Sequence, residues 1–178
     1  MNIFASLIRV KGLESSKVTY YSVVLNEITH DETRSEFYNF LNRMEQYKDH
    51  LEDLNKIIIF LEQEIGDKYG AREDFFRPEQ FHSDLTALPP NKGKFKTLFI
   101  GTQLRLYTLR LNESVVILFN GGVKTAQTAQ ECTNVREYFL QANKIAGIID
   151  DLLKEQEEIQ WNHDFTDITF LPDLKIEF

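Results

Sequence analysis

Cys132 is the one cysteine in this 178-residue chain and its strongest nucleophile. It stands just before an expected helix, where a helix N-terminus lowers a thiol's pKa, but the plainer reading is a structural cysteine. His30, His50, His82 and His163 have no metal-ligand spacing such as His-x-x-x-His, so no metal and no cofactor is expected. Gly121-Gly122 followed by Lys124 lacks the Gly-x-x-x-x-Gly-Lys spacing of a phosphate loop and reads as a turn or bulge. Asp150-Asp151 reads as the solvated side of a helix. Two cations remain, Arg105 and Lys124, each either an ordinary exposed residue on a sheet or part of an anion site.

The elements that must position these residues follow from periodicity. Val18–Leu25 (VTYYSVVL) reads as a buried strand, and Phe4–Val10 as an earlier one. From Phe37 to Ile65 apolar residues recur in alternating steps of three and four, a heptad pattern. Asp31 or Thr33 would cap its start, and Gly66 and Gly70 stand where it should stop. The stripe fits one helix of roughly 45 Å at ~1.5 Å per residue, or a hairpin bent near Lys48–His50. Its face is a core face or a coiled-coil dimer seam.

Residues 69–92 hold three of the four prolines and read as an irregular insertion. A turn at Asn91-Lys92-Gly93 leads to three expected strands. They are Phe95–Ile100 (FKTLFI), Leu104–Leu111 (LRLYTLRL) and Ser114–Phe119 (SVVILF), an antiparallel meander with a turn at Asn112-Glu113. Alternation places Leu104, Leu106, Thr108 and Arg110 on one face of the middle strand, with Arg105, Tyr107, Leu109 and Leu111 on the other. Asn134 would cap a second amphipathic helix running to about Gln160, and the tail after it would add a short edge hairpin around Pro172. The expectation is one α+β domain over 1–178, with the insertion at about 69–92 and a C-terminal extension at about 160–178.

Composition narrows the class. Hydrophobic residues make up 42% and charged residues 27%, which suits a packed domain with one core. The net charge of −8 argues against loose, sequence-independent nucleic-acid binding, whose energy comes from Lys and Arg on phosphates. A lone cysteine forms no internal disulfide and fits a reducing compartment. The N-terminal apolar run is short for a signal peptide, and no run approaches the ~20 residues of a membrane span. A cytoplasmic protein without membrane contact is the expectation.

The order strand, helical segment, three-stranded meander, helix resembles the RelE/HigB-like toxins, small ribosome-dependent mRNA endonucleases that pair with an antitoxin. In that family an Arg-aromatic strand leads into a strongly apolar strand ending in Gly-x-Lys near a Thr/Gln-rich turn. LRLYTLRL-NE-SVVILF-NGGVKTAQTAQ is similar, and SEFYNFL is similar to the family's first helix. The resemblance implies that Arg105 contacts the scissile phosphate, that Lys124 is the basic residue after the apolar strand, and that Lys94, Lys96 and Arg110 help bind RNA. The chemistry implied is 2′-hydroxyl attack on the adjacent phosphate, with cations stabilising the developing charge. Implied partners are a helix-turn-helix antitoxin and the ribosome with its mRNA. The chain departs from the family in having Thr125 beside Lys124 and no match to the usual C-terminal Tyr or His base, for which His163 or Tyr107 could be nominated. The other expectations are an interaction module on the same scaffold without catalysis, or a homodimer held by the Phe37–Ile65 heptads.

Overall fold

The computed structural model describes residues 3–79 and 83–178. The chain opens on an apolar hairpin of β1 (Phe4–Arg9) and β2 (Thr19–Leu25), antiparallel with Ala5 opposite Leu25 and Arg9 opposite Tyr21. Two helices follow, α1 (Glu36–Met44) and α2 (Leu51–Ile59), and α2 runs on as a π-helical stretch, Phe60–Tyr69, that stops at Gly70 with φ +78°. Short strands β3 (Arg77–Pro78) and β4 (Thr86–Leu88) lead into β5 (Leu104–Arg110) and β6 (Val115–Val123). Then come α3 (Arg136–Glu155), the small hairpin β7 (Gln160–Trp161) with β8 (Ile168–Thr169), and β9 (Ile176–Glu177). Among the described residues seven strands make one sheet in the order β3-β4-β5-β6-β2-β1-β9. The β2–β6 pairing is parallel, with Thr19 opposite Val115 and Ser22 opposite Leu118.

The sheet is the middle of three layers. On one face Tyr20, Leu104, Leu106, Val116 and Leu118 pack against Phe37, Phe40, Met44, Leu54, Ile57, Leu61 and Ile65 of the first helices. On the other, Tyr21, Val23, Tyr107, Leu109, Ile117 and Phe119 pack against Phe139, Ala142, Ile145, Ala146 and Ile149 of α3. This is why Val115–Phe119 is apolar without alternation: helices cover both sides of it. Each large side chain so buried contributes roughly 1.5–3 kcal/mol.

The heptad stripe is two helices, turned at Lys48–His50. Tyr47 and Leu51 continue the stripe but are exposed, because the chain bends there to keep the flanking positions on the sheet. The rest of the stripe packs into the chain's own core, Ile58 only in part. The cap of α1 is Ser35, whose hydroxyl oxygen accepts the Tyr38 N–H at 3.4 Å, while Asp31 caps the 3-10 turn Glu32–Arg34 just before it.

Three further expectations are corrected. Phe95–Ile100 is no strand: Lys96–Phe99 is a 3-10 turn between Gly93 and Gly101, both with positive φ. Its place in the meander is taken by β4, inside the segment read as irregular; residues 80–82 of that segment, His82 included, lie outside the described residues. The last helix begins at Arg136 with Val135 at its N-cap in place of Asn134, and ends at Glu155, where Gln156 adopts a left-handed conformation. In the tail, β9 pairs with Phe4 and Ala5 at the sheet edge.

Candidate functional site

The face of the sheet that α3 covers carries a group of ionisable side chains at its β3–β4–β5 end. Register explains the grouping. Arg77 pairs with Ala87, and Ala87 with Tyr107, so the three share a face across three strands. Glu79 lies two residues beyond Arg77, and its N–H donates to the Leu85 carbonyl at 3.0 Å. Arg105 lies two residues before Tyr107, on the same side by the alternation of β5. Opposite Arg105 is Gly122, and Lys124 lies two residues beyond it, its N–H donating to the Gln103 carbonyl at 2.7 Å.

The electrostatics are those of one carboxylate among three cations. Burial pushes the Glu79 carboxyl above its ordinary value, against the opposing pull of Lys124, Arg105 and Arg77. Burial, and then the neighbouring Arg77, lower the pKa of the Arg105 guanidinium. Arg105 Nη1 donates to the Leu104 carbonyl at 2.8 Å and to that of Thr102 at 3.4 Å, whereas its Nε is buried with no partner among the described residues. Arg77 Nε donates to the Pro89 carbonyl at 3.3 Å. Tyr107 is 0% exposed, its ring edge-on to Phe139, and its hydroxyl likewise has no partner among the described residues. Burial first, and the Glu79 charge second, hold that phenol protonated well above its usual range. Cys132 adds its charge to the same neighbourhood.

Two unpartnered donors, one a guanidinium N–H, are an arrangement suited to an anion, since a buried donor left unpaired costs about 1–3 kcal/mol. Arg77 and Lys124 add their positive charge to the same neighbourhood. Among the described residues no three His, Cys, Asp or Glu side chains gather as metal ligands.

Arg105 and Lys124 are thus brought to one neighbourhood, as is Tyr107. The other candidates are not. Arg110 lies on the opposite face, where its Nε donates to the Ala71 carbonyl at 2.5 Å. Lys94 donates to the Tyr69 hydroxyl at 2.6 Å and sits 4.2 Å over that ring, on the side of the sheet covered by α1 and α2. Lys96 is exposed on the neighbouring 3-10 turn. His163 is exposed in the β7–β8 connection. Arg77 and Glu79 escaped the sequence reading, although Arg-Pro-Glu has the period of two that puts both on one face, and proline is tolerated on an edge strand.

A second polar network braces the place where β6 outruns β2. Asn120, 2% exposed, donates to Glu36 at 2.9 Å and to Asn39 at 2.8 Å, and accepts from Arg43. Arg43 also donates to the Gly121 carbonyl at 2.6 Å and lies 4.2 Å over the Tyr138 ring. A cavity of about 210 Å³ lies beside it, lined in part by Tyr47, His50 and Asn134. These groups satisfy one another and tie α1 to the start of α3 through the end of β6.

Among the described residues no helix is long and apolar enough to cross a membrane. Compared with known proteins, this α+β chain matches no family model, no curated protein and no solved structure.

Proposed function

We propose that this chain grips an RNA phosphodiester at Arg77, Arg105 and Lys124, and that it is the toxin of a toxin–antitoxin pair, an endoribonuclease of the RelE/HigB-like kind. The observation that carries the reading is the buried Nε of Arg105, without a partner among the described residues, in a neighbourhood shared with Arg77 and Lys124. The element order from β2 through two helices and the β4–β6 meander to α3 supports it too. In the reaction, Arg105 and Lys124 face the phosphoryl oxygens and offset their developing charge. Glu79, its pKa raised by burial, takes the proton of the attacking 2′-hydroxyl, and the departing 5′-oxygen is protonated by water. An antitoxin would then act by covering the β3–β5 end of the sheet.

Expression without a partner tests this. Growth arrest is expected, and it should vanish in Arg105→Ala with Lys124→Ala. Unimpaired growth, with no RNA cleaved by the purified chain, removes the nuclease reading.

One observation favours a second reading, a non-catalytic interaction module. Glu79 already offsets part of the positive charge, and Arg105 Nη1 is tied to two backbone carbonyls. On that reading the purified chain binds phosphate-bearing ligands through Arg105 without cleaving them.

A further inference from the structure

Between β4 and β5 the chain makes an excursion, residues 91–102, whose shape is set by two aromatic anchors. The rings of Phe95 and Phe99 lie 5.3 and 5.6 Å from that of Phe60. Both rings turn inward onto Phe60, and the residues between and beyond them point out. Leu98 is 50% exposed and Ile100 82% exposed, the highest value for a large hydrophobic side chain among the described residues. Lys92, Lys94 and Lys96 are exposed on the same excursion.

The charge pattern is as uneven as the hydropathy. From Leu85 to Asn112 the chain carries Lys92, Lys94, Lys96, Arg105 and Arg110 and no carboxylate, within a protein of net charge −8. At the base of the excursion Lys92 shares a cleft with Glu73, Asp74 and Glu113, so its charge is offset there. Towards the tip, neither Lys94 nor Lys96 has a carboxylate within 4.0 Å among the described residues.

We propose that this excursion is a membrane-contact tip that docks on bilayers containing anionic lipid. Leu98 and Ile100 enter the boundary between headgroups and acyl chains, and Lys94 and Lys96 meet the anionic headgroups, two weak signals that together give reversible attachment. Charge complementarity selects the surface: an acidic chain that gathers its cations around exposed aliphatic side chains fits a negative interface with an apolar interior. An RNA strand would use the lysines but gain nothing from Leu98 or Ile100, since base stacking needs aromatic faces, and Phe95 and Phe99 are turned inward. The proposal is independent of the Arg105 site, which lies on the opposite side of the sheet.

Co-sedimentation of the full chain with vesicles of phosphatidylcholine, with and without phosphatidylserine, tests it. Binding is expected only with phosphatidylserine, weakening as salt rises. Leu98→Glu with Ile100→Glu should lower it at least about tenfold, because charge replaces the inserted aliphatic surface. Lys96→Glu should weaken it, and Leu171→Glu, an exposed leucine in the tail, should leave it unchanged. Ile100→Trp should show a blue-shifted emission with phosphatidylserine vesicles alone. No binding, equal binding to both vesicles, or binding indifferent to the Leu98 and Ile100 changes overturns the proposal. So does binding of RNA through Lys94 and Lys96 by a chain that leaves vesicles untouched.

Discussion

The sulfur of Cys132 lies 3.4 Å from the backbone nitrogen of Thr125 and accepts its hydrogen. Burial by itself would push the thiol up, but N–H groups of Ala126, Thr125 and Asn134 and the Thr125 hydroxyl outweigh it and bring the thiol down to about 7. An unfolded thiol titrates near about 8.5. The folded value is the lower one, so the folded chain holds fewer protons between these limits. Stability therefore rises with pH across the window, is fully present above it, and is lost as pH falls through about 7. Urea midpoints at about pH 6.5 and about pH 9 should differ in that sense, and the difference should shrink in Cys132→Ser. With Cys132 only 2% exposed, native protein should react slowly with thiol reagents despite the low value.

Asn120 is the joint of the network between α1 and β6, and removing it takes the amide donor from the Glu36 carboxyl. Asn120→Ala takes an acceptor from Arg43 and a donor from Glu36, the latter already raised by burial. Arg43 keeps the Gly121 carbonyl and Asn39, so the loss is that of the Glu36 carboxyl and should cost about 1–3 kcal/mol. A drop in the denaturation midpoint with an unchanged slope is the expected result; a loss below about 0.5 kcal/mol would mean that water replaces the amide.

Gly121 lets β6 approach β5 where the register slips between Leu106 and Thr108. A methyl group there would overlap the Arg105 carbonyl oxygen and stand 2.8 Å from its carbon, and this neighbour is backbone that cannot turn aside. Gly121→Ala should therefore destabilise the fold by about 3 kcal/mol and displace Arg105. Gly101→Ala has open space around it and only its φ of +81° to contend with, so it should cost about 1 kcal/mol. Equal midpoints for the two variants would contradict the close approach.

Glu79→Gln separates binding from chemistry at the cation cluster. Removing the carboxylate leaves Arg77, Arg105 and Lys124 uncompensated, so inorganic phosphate or RNA should bind several-fold more tightly. If Glu79 is the base, RNA cleavage falls about a hundred-fold or more in the same variant, and its pH dependence disappears. Weaker binding in Glu79→Gln would mean that the carboxylate orders the arginines rather than competing with the ligand.

Local pattern carried much of the architecture. The alternation of Leu104–Leu111 assigned Arg105 and Tyr107 to one face and Arg110 to the other, and packing agrees, because pleat geometry depends only on neighbouring residues. The unbroken apolar run Val115–Phe119 announced a strand covered on both sides. The stripe from Phe37 to Ile65 marked one apolar helical face, since a turn of helix is decided within four residues, and Phe37 and Phe40 on it are buried.

Tertiary structure alone decided the rest. Phe95 and Phe99 suit a strand by propensity, yet both fold inward onto Phe60, a partner some 35 residues away that no local window contains. A strand as short as Thr86–Leu88 exists only because β5 offers it an edge to pair with, and Arg77–Pro78 only because Thr86–Leu88 then does the same for it. The cluster of Arg77, Glu79, Arg105 and Lys124 follows from that pairing. Residue type limited which side chains could bear charge, but cross-strand register, settled by burial and backbone hydrogen bonding over the whole sheet, chose which charges meet.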